Sequence, residues 1–491
     1  MIADRRTKIV GTIGPASQSP EMLMKLVEAG LNVARLNFSH GIHADHQNVI
    51  KTLRSISQSE NAPIALLQDL QGPKIRIGKV KNGSIQLADG QKIIIKVGNH
   101  IGDEKVLATD FHTLPKDVKP HTHILLDDGN LEFVVEKISG DEVHCQVIYG
   151  GELKNNKGMN LPGARLSVEA MTEKDYADLD FGLSQGVDYV ALSFVRQGKD
   201  IRQLREIIER KAKGTKIIAK IEKVEALDNL EDIVALSDGV MVARGDLAVE
   251  VGQSLLPGKQ KKIIKLCNAL GKPVITATQM LDSMIENPRP TRAEVTDIAN
   301  AVLDGTDAVM LSAETASGKY PVKCVQTMDE IIREVERTDV HYYQMNLRDE
   351  FLTVAEAIAE SACLSAMKLN AAVIVCLTTS GKTATLISRF RPKAKIIAVT
   401  HIMETLNRLE LVWGIEGIPI TPYSDTDLVM KTLEKTLVDY GVCKQGDKII
   451  FTMGLPVLER GTTNSVRVYT IKDLSPTELN PKEMPLRCRP K

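Results

Sequence analysis

Residues 216–222 read KIIAKIE. Ile217, Ile218 and Ala219 follow one another without polar alternation, as in a strand covered on both faces. Lys220 and Glu222 then close the run. Outward along the chain, runs of the same kind recur at KIVGTI (8–13), VARLNF (33–38), IALLQDL (64–70), YVALSFV (189–195), GVMVAR (239–244), PVITAT (273–278) and DAVMLSAE (307–314). Helical stretches such as SPEMLMKLVEAG, GKQKKIIKLCNALG and TRAEVTDIANAVLDG lie between them and end in Gly, a helix C-cap signal. Covered strands alternating with helices make a parallel sheet, and eight repeats close a (β/α)8 TIM barrel. An open doubly wound sheet is the rival. Polar residues at the ends of so many different strands favour the barrel.

One interval breaks the rhythm. Residues 73–167 hold no convincing helix and several hairpin signals, in KNGSIQLADGQKIIIKV and ILLDDGNLEFVVEKISGDEVHCQV. They are expected to form a small all-β lid domain inserted after the third barrel strand, on the face where active sites form. The barrel then spans 1–72 and 168–345. From 346 to 473 a helix, TVAEAIAESACLSAMKL, leads to AVIVCL (372–377), KIIAVT (395–400), DKIIFTM (447–453) and VRVYTI (466–471), an open-sheet α/β domain of regulatory type. Residues 474–491 carry Pro and charge without periodicity and read as a tail.

The bulk composition excludes several classes. A chain of 491 residues is too long for one core. Sixty-two basic and 63 acidic residues leave a net charge of -1, so nothing in the balance favours nucleic acid or an anionic membrane. Seven scattered cysteines with no C-x-x-C pair fit reduced thiols in a cytoplasmic protein. The start, MIADRRTKIV, lacks a signal-peptide core, and no run approaches the roughly 20 apolar residues of a membrane span.

The strand ends carry the chemistry. They present Arg35, Asn37, Ser39 and His40; Asp69, then Lys74 and Arg76; Ser193; Lys220 and Glu222; Arg244 and Asp246; Thr278; and Ser312 and Glu314. Charges in covered strands are costly unless paired or liganded. A ring of structural ion pairs is the bland alternative. Glu222 and Asp246, from neighbouring strands, are oxygen ligands suited to a hard divalent ion such as Mg²⁺. Arg35, Arg76 and Lys220 are cations for the same space, and metal plus cations is the equipment of phosphoryl transfer. RGDLAVE opens a helix whose free N–H groups suit a carboxylate. The site thus reads as built for a small anion bearing both phosphate and carboxylate. For His40 a capping or packing role is the bland reading; for Ser312 and Glu314 it is a tie between strand eight and its neighbours.

The segments IIAKIEKVEAL (217–227), ARLNFSHG (34–41), NKGMNLPG (156–163), MVARGDLAVE (241–250), ITATQMLDSM (275–284), PRPTRAEVTDIANAVLDGTDAVMLSAETA (288–316) and GTIGPAS (11–17) resemble the pyruvate kinase family, in family order, over about residues 5–472. The resemblance implies transfer of phosphate from phosphoenolpyruvate to ADP, giving pyruvate and ATP. It implies that Glu222 and Asp246 hold Mg²⁺ or Mn²⁺, and that Lys220 stabilises the phosphoryl group and the enolate. Arg35 and Arg76 would hold phosphate oxygens, while Gly245, Asp246 and Thr278, with Ser193 nearby, would take the substrate. Thr278 also lies near the protonation step, through water. Pro15, Asn37, His40, Arg76 and Lys157 match nucleotide-side positions. A homotetramer is implied as well.

Two features are specific to this chain. Many family members need K⁺, on ligands matching Asn37, Ser39, Asp69 and the carbonyl of Leu70. They typically have Thr, Lys and Glu where this chain has Leu70, Gln71 and Lys74, in QDLQGPKIRIG (68–78). A lysine in place of the glutamate would itself supply the positive charge, and a second cation beside it would be repelled by several kcal/mol at an effective dielectric near ~20. K⁺ independence is therefore expected. The loop LTTSGKT (377–383) follows a strand and opens a helix. Its form resembles the effector loop of regulated family members, so Thr378, Thr379, Ser380, Lys382 and Thr383 are expected to hold a phosphate of an allosteric activator, a sugar phosphate or AMP. An ordinary Ser/Thr N-cap is the bland reading there. Rival functions are an Mg²⁺-dependent TIM-barrel lyase or mutase on a pyruvate-like substrate, and a catalytically dead sugar-phosphate sensor.

Overall fold

In the computed structural model, which describes residues 5–127, 129–164, 167, 169–211, 214–338, 353–422, 426–455 and 463–472, the eight runs form a closed parallel barrel. The strands are β1 (Lys8–Ile13), β2 (Val33–Asn37), β3 (Ala65–Asp69), β4 (Tyr189–Leu192), β5 (Lys216–Ile221), β6 (Gly239–Ala243), β7 (Val274–Ala277) and β8 (Ala308–Leu311). Each pairs with its neighbours in sequence, and β1 closes on β8. The last run is shorter than its apolar pattern suggests. Its strand stops at Leu311, and Ala313–Ala316 is a helical turn.

The period of two along each strand positions the site. Val33, Leu67, Tyr189, Ile218 and Met241 belong to one apolar cluster in the barrel. Two residues further along on the same face stand Arg35, Asp69, Ala191, Lys220 and Ala243. The lower layer is thus apolar filling, and the upper layer is where charge enters. Between strands and outer helices lies a larger core that includes Leu36, Leu66, Leu192, Ile217 and Val242.

The all-β insert leaves the barrel after β3 and returns before β4. It curls a six-stranded sheet and a two-stranded ribbon around its own core, which includes Phe133, Ile124 and Leu107. Two short helical turns, Lys81–Gly83 and Leu114–Asp117, interrupt it where hairpins alone were expected. The C-terminal domain carries β9 (Val373–Leu377), β10 (Lys395–Thr400), β11 (Ile415–Pro419), β12 (Lys448–Met453) and β13 (Ser465–Thr470), in the order β11-β10-β9-β12-β13. Strand β11, IEGIP, is a fifth strand beyond the four read from the sequence; its Gly and Pro mask it. This domain packs on the base of the barrel. Lys8 Nζ donates to Ile415 O at 2.5 Å, Tyr189 Oη to Arg408 O at 2.6 Å, and Arg391 pairs with Asp307 at 3.2 Å.

Six described cysteines are free and buried, and Cys488 lies with the expected tail outside the described residues. Among the described residues no helix is long and apolar enough to cross a membrane.

Candidate active site

Asp69 ends β3 fully buried, inside the mouth of the barrel. Its two oxygens take two cations. Arg35 Nε donates to Oδ2 at 2.7 Å, and Lys220 Nζ lies 3.1 Å from Oδ1. Lys220 also reaches Glu222 Oε1 at 3.0 Å and donates to Ser193 Oγ at 2.7 Å. Ser193 Oγ in turn donates to Leu70 O at 2.6 Å. Strands β2, β3, β4 and β5 therefore meet in one chain of charge: Arg35, Asp69, Lys220, Glu222.

Two residues absent from the sequence reading brace this chain. Arg35 Nη1 donates to Thr12 Oγ1 at 2.9 Å, and Thr12 itself donates to Leu311 O. The Phe194 N–H donates to Glu222 Oε2 at 2.7 Å, from a residue at φ 54. The signal for Thr12 was its parity with Val10 on β1; nothing local betrays Phe194.

The electrostatics follow from burial. Burial alone would lower the Lys220 pKa, but Asp69 and Glu222 outweigh it and hold the ammonium well above its ordinary range. Burial would raise Asp69, yet Lys220 and Arg35 bring it below the usual carboxylate range. Glu222 ends on the other side. Burial and the nearby Asp246 charge raise it despite Lys220. The half-buried Asp246 thus repels the fully buried Glu222 at the edge of a cleft, which suits a shared divalent cation. Among the described residues no group of three or more His, Cys, Asp or Glu could hold a metal. An ion on Glu222 and Asp246 would draw its other ligands from water and substrate oxygens, the habit of Mg²⁺. The donor set therefore fits that ion.

Beside the charge chain lies a helix N-terminus, Arg244–Val251. The Gly245 N–H donates to Thr278 Oγ1 at 2.9 Å. Thr278 and Gln279 hold φ of 69° and 52°, a strained turn at the end of β7. Arg244 explains how the turn is held. Its guanidinium donates to Ala277 O and Thr278 O and forms a forked pair with Asp297 at 2.9 and 2.7 Å. It is a brace under Thr278. Glu314 is likewise a tie: its oxygens accept from the Ser312 and Leu281 N–H groups at 2.6 and 3.1 Å.

The hinge to the insert is tight. Gly72 has φ 68, and a Cβ there would stand 2.8 Å from the Phe194 ring. Its N–H donates to Asp175 Oδ1 at 3.0 Å. Beyond it Lys74, Asn160, Phe194, Arg196 and Asp246 line a cleft between insert and barrel. Lys74 is exposed and makes no ion pair among the described residues. Arg76 pairs its backbone with Gly158 and donates from Nη1 to Asn156 O at 3.0 Å, so its side chain is turned to the insert. Lys157 pairs with Asp127 at 2.6 Å. Asn37 Oδ1 accepts from the Ser39 N–H at 3.1 Å, while His40 and Pro15 are exposed. The structure thus brings Arg35, Asp69, Ser193, Lys220 and Glu222 into one cluster and joins Gly245 to Thr278. It leaves Arg76, Lys157, His40 and Pro15 outside that cluster.

In the C-terminal loop, Thr378 Oγ1 accepts from the Gly381 N–H at 3.0 Å, and Gly381 at φ 82 caps the helix Lys382–Arg389. Thr383 Oγ1 meets Thr463 Oγ1. Ser380 and Lys382 are exposed.

Comparison with known proteins agrees with this geometry. A family model described as "Pyruvate kinase, barrel domain" matches residues 4–325, and one described as "Pyruvate kinase, alpha/beta domain" matches 356–469. The chain is 45% identical over 473 residues to a pyruvate kinase of Staphylococcus aureus, covering 96% of this chain and 81% of that protein. It is 45% identical over 475 residues to a pyruvate kinase of Geobacillus stearothermophilus, with the same coverage. A crystal structure of a pyruvate kinase from Cryptosporidium parvum superposes with a TM-score of 0.90 at 36% identity, covering 96% of this chain and 98% of that one.

Proposed function

The chain belongs to the pyruvate kinase family, and from that premise we propose that the Arg35–Asp69–Lys220–Glu222 chain is where phosphate passes from phosphoenolpyruvate to ADP. The observation that carries this reading is Lys220, an ammonium kept charged by two buried carboxylates at the mouth of the barrel. Negative charge moves onto the transferred phosphoryl oxygens and then the enolate oxygen, and a fixed cation stabilises both. Arg35, anchored by Thr12 and Asp69, holds a phosphate oxygen without needing to reorganise. The N–H groups of Gly245 and Asp246, with the Thr278 hydroxyl, take the carboxylate at a helix N-terminus. Thr278 sits beside the enolate carbon's route to a proton, carried by water. Glu222 and Asp246 hold Mg²⁺, which supplies charge neutralisation to the phosphate when bound. Arg76 and Lys157, on the insert side, and Pro15, Asn37 and His40, on the barrel side, flank the nucleotide. Arg76 reaches the phosphate when the insert closes as a lid. A coupled assay for ATP formation from phosphoenolpyruvate and ADP tests the reading; a lyase or mutase would turn over a pyruvate-like substrate without nucleotide.

The enzyme works without K⁺ in this reading. Support comes from the oxygens that would bind the ion. Asp69 already carries two cations, Leu70 O accepts from Ser193, and Asn37 Oδ1 accepts from Ser39. Lys74 stands in the cleft beside Asp246, where its charge reaches the substrate phosphate as that group binds. Loop 378–383 binds the phosphate of an activator, supported by the exposed Ser380 and Lys382 at a glycine-capped helix start. A cytoplasmic homotetramer completes the proposal.

A further inference from the structure

The loop after β2 carries Ser39 and His40 and leads into the helix His43–Ser59. That helix starts from Ile42, which has no side-chain oxygen to cap it. The hold comes instead from a second helix, Glu173–Ser184. Lys174 Nζ donates to Phe38 O at 2.7 Å and to Asp178 Oδ2 at 2.5 Å. Asp178 Oδ1 lies 2.7 Å from His43 Nε2, and the His43 ring stacks on Phe181 with centroids 4.2 Å apart. Beside these anchors the Phe38 ring stacks on His46, whose Nε2 lies 3.0 Å from His40 O.

Lys174, Asp178 and Phe181 stand at i, i+4 and i+7, so one stripe of the helix makes all of these contacts. Asp178 is 4% exposed. A carboxylate so buried must be paired, and its pairs lead to the two ends of the loop. Lys174 connects it to Phe38, and His43 meets it directly. The same helix holds two other parts of the site. Asp175 takes the Gly72 N–H at the hinge of the insert, and Asp178 O takes Gln68 Nε2 at 2.6 Å, next to Asp69 on β3. The loop is therefore fixed to the frame that also holds the hinge and the third strand.

We propose that Asp178, working through Lys174 and His43, is a positioning residue for the nucleotide. It fixes the backbone on either side of His40 and acts on ADP only through that loop. The inference rests on the reading of Asn37 and His40 as nucleotide-side residues. A loop already ordered loses no further conformational freedom when a ligand binds, so its preorganisation shows as affinity. His40 O is tied to His46, which sets the exposed His40 side chain on a fixed base. Asn37 closes β2 one residue before the Phe38 anchor, so the same tie sets where that strand ends. The phosphoenolpyruvate side rests on different braces, Thr12 under Arg35 and Arg244 under Thr278. Loosening the loop therefore acts on ADP and spares phosphoenolpyruvate.

Initial rates of ATP formation are measured on the full-length protein with ADP and phosphoenolpyruvate varied in turn, beside the rise in Tm on adding ADP with Mg²⁺. Asp178→Asn keeps the size of the side chain, but its amide accepts from only one of the two partners. It should raise KM for ADP by about tenfold and shrink the ADP-induced rise in Tm, while KM for phosphoenolpyruvate and kcat at saturating ADP stay within about twofold. Lys174→Met moves KM for ADP in the same direction, and Lys174→Arg, which keeps a donor, restores it. The Lys174 side chain is half exposed, so its variants carry the test should Asp178→Asn fail to fold. Wild-type KM for ADP in Asp178→Asn and Lys174→Met overturns the proposal. So does an equal rise in both KM values, the mark of a contact that only supports the fold. His40→Ala separates the positioning role from the reading beneath it. If His40→Ala raises KM for ADP while the Asp178 and Lys174 variants do not, the nucleotide reading stands and the positioning role falls. Wild-type KM for ADP in His40→Ala removes the nucleotide reading of the loop, and the proposal with it.

Discussion

Lys220 Nζ lies 3.1 Å from Asp69 Oδ1, joining β5 to β3 over the end of β4, which supplies Ser193 between them. The Asp69 side chain is 1% exposed and that of Lys220 12%; in the proposed reaction the ammonium is a charge held in place for the incoming phosphate. Removing the ammonium while keeping the bulk, Lys220→Met, should cost about 10²–10³-fold in kcat for ATP formation. Unchanged circular dichroism should show that the fold survives. A variant with near wild-type kcat would remove Lys220 from the chemistry.

Glu222 and Asp246, the proposed Mg²⁺ ligands, predict a pH dependence. Glu222 is raised by burial and by Asp246, so in the folded protein it keeps its proton above the ordinary Glu range. A folded-state pKa above the unfolded value means that the free protein gains stability from this group as pH falls through that window. Mg²⁺ and the proton compete for the same oxygens. The rise in Tm on adding Mg²⁺ should therefore be larger near pH ~8 than near pH ~5 and should vanish in Glu222→Ala. A Tm gain independent of pH, or kept in Glu222→Ala, would place the ion elsewhere.

Lys74 predicts a different ion requirement. Substantial activity is expected in a tetramethylammonium buffer free of K⁺ and NH₄⁺, and added K⁺ should change it little. Lys74→Glu should lose activity without K⁺ and regain part of it with K⁺, provided that Asn37, Ser39 and Asp69 can still gather round the ion. Strong stimulation of the wild type by K⁺ refutes this reading.

Ser380→Glu sets a carboxylate at the exposed start of the helix Lys382–Arg389. It should abolish the leftward shift of the phosphoenolpyruvate saturation curve caused by a phosphorylated activator, with kcat at saturation unchanged. An activation that survives the substitution, or no activation by any sugar phosphate or AMP, removes the loop from regulation.

Asp297→Ala should loosen the Arg244 brace and, through it, the strained Thr278 turn. Asp297 is itself partly exposed, so a stability loss of only about 1–2 kcal/mol is expected. The sharper effect should be on KM for phosphoenolpyruvate, measured beside kcat. An unchanged KM with lowered Tm would make the brace purely structural.

Much of the fold and of the site is legible in the amino-acid sequence. The apolar continuity of runs such as YVAL and GVMVA announces covered strands, and their spacing gives the barrel. The charged ends at Arg35, Asp69, Lys220 and Glu222 announce the site because such residues cannot stay in a core unpaired. What stayed hidden depends on contacts far apart in sequence. Asp297 reaches Arg244 across 53 positions, and Thr12 is one of many buried threonines until Arg35 is seen to lean on it. Arg76 is another such case: beyond the Gly-Pro turn its guanidinium donates to Asn156 O, 80 positions away.

Asp175 fastens both crossings of the insert. Its Oδ1 takes the Gly72 N–H where the chain leaves the barrel, and its Oδ2 takes the Thr172 N–H and hydroxyl where the chain returns, at 2.8 and 2.6 Å. The insert is thus a closed loop hung from one carboxylate. Its length enters the barrel's folding only through a loop-closure entropy that grows with the logarithm of residue number. Such a segment is exchangeable. A cut between Gly72 and Thr172 severs no barrel strand, so lids of other sizes can be grafted at this one joint while the barrel beneath keeps its register.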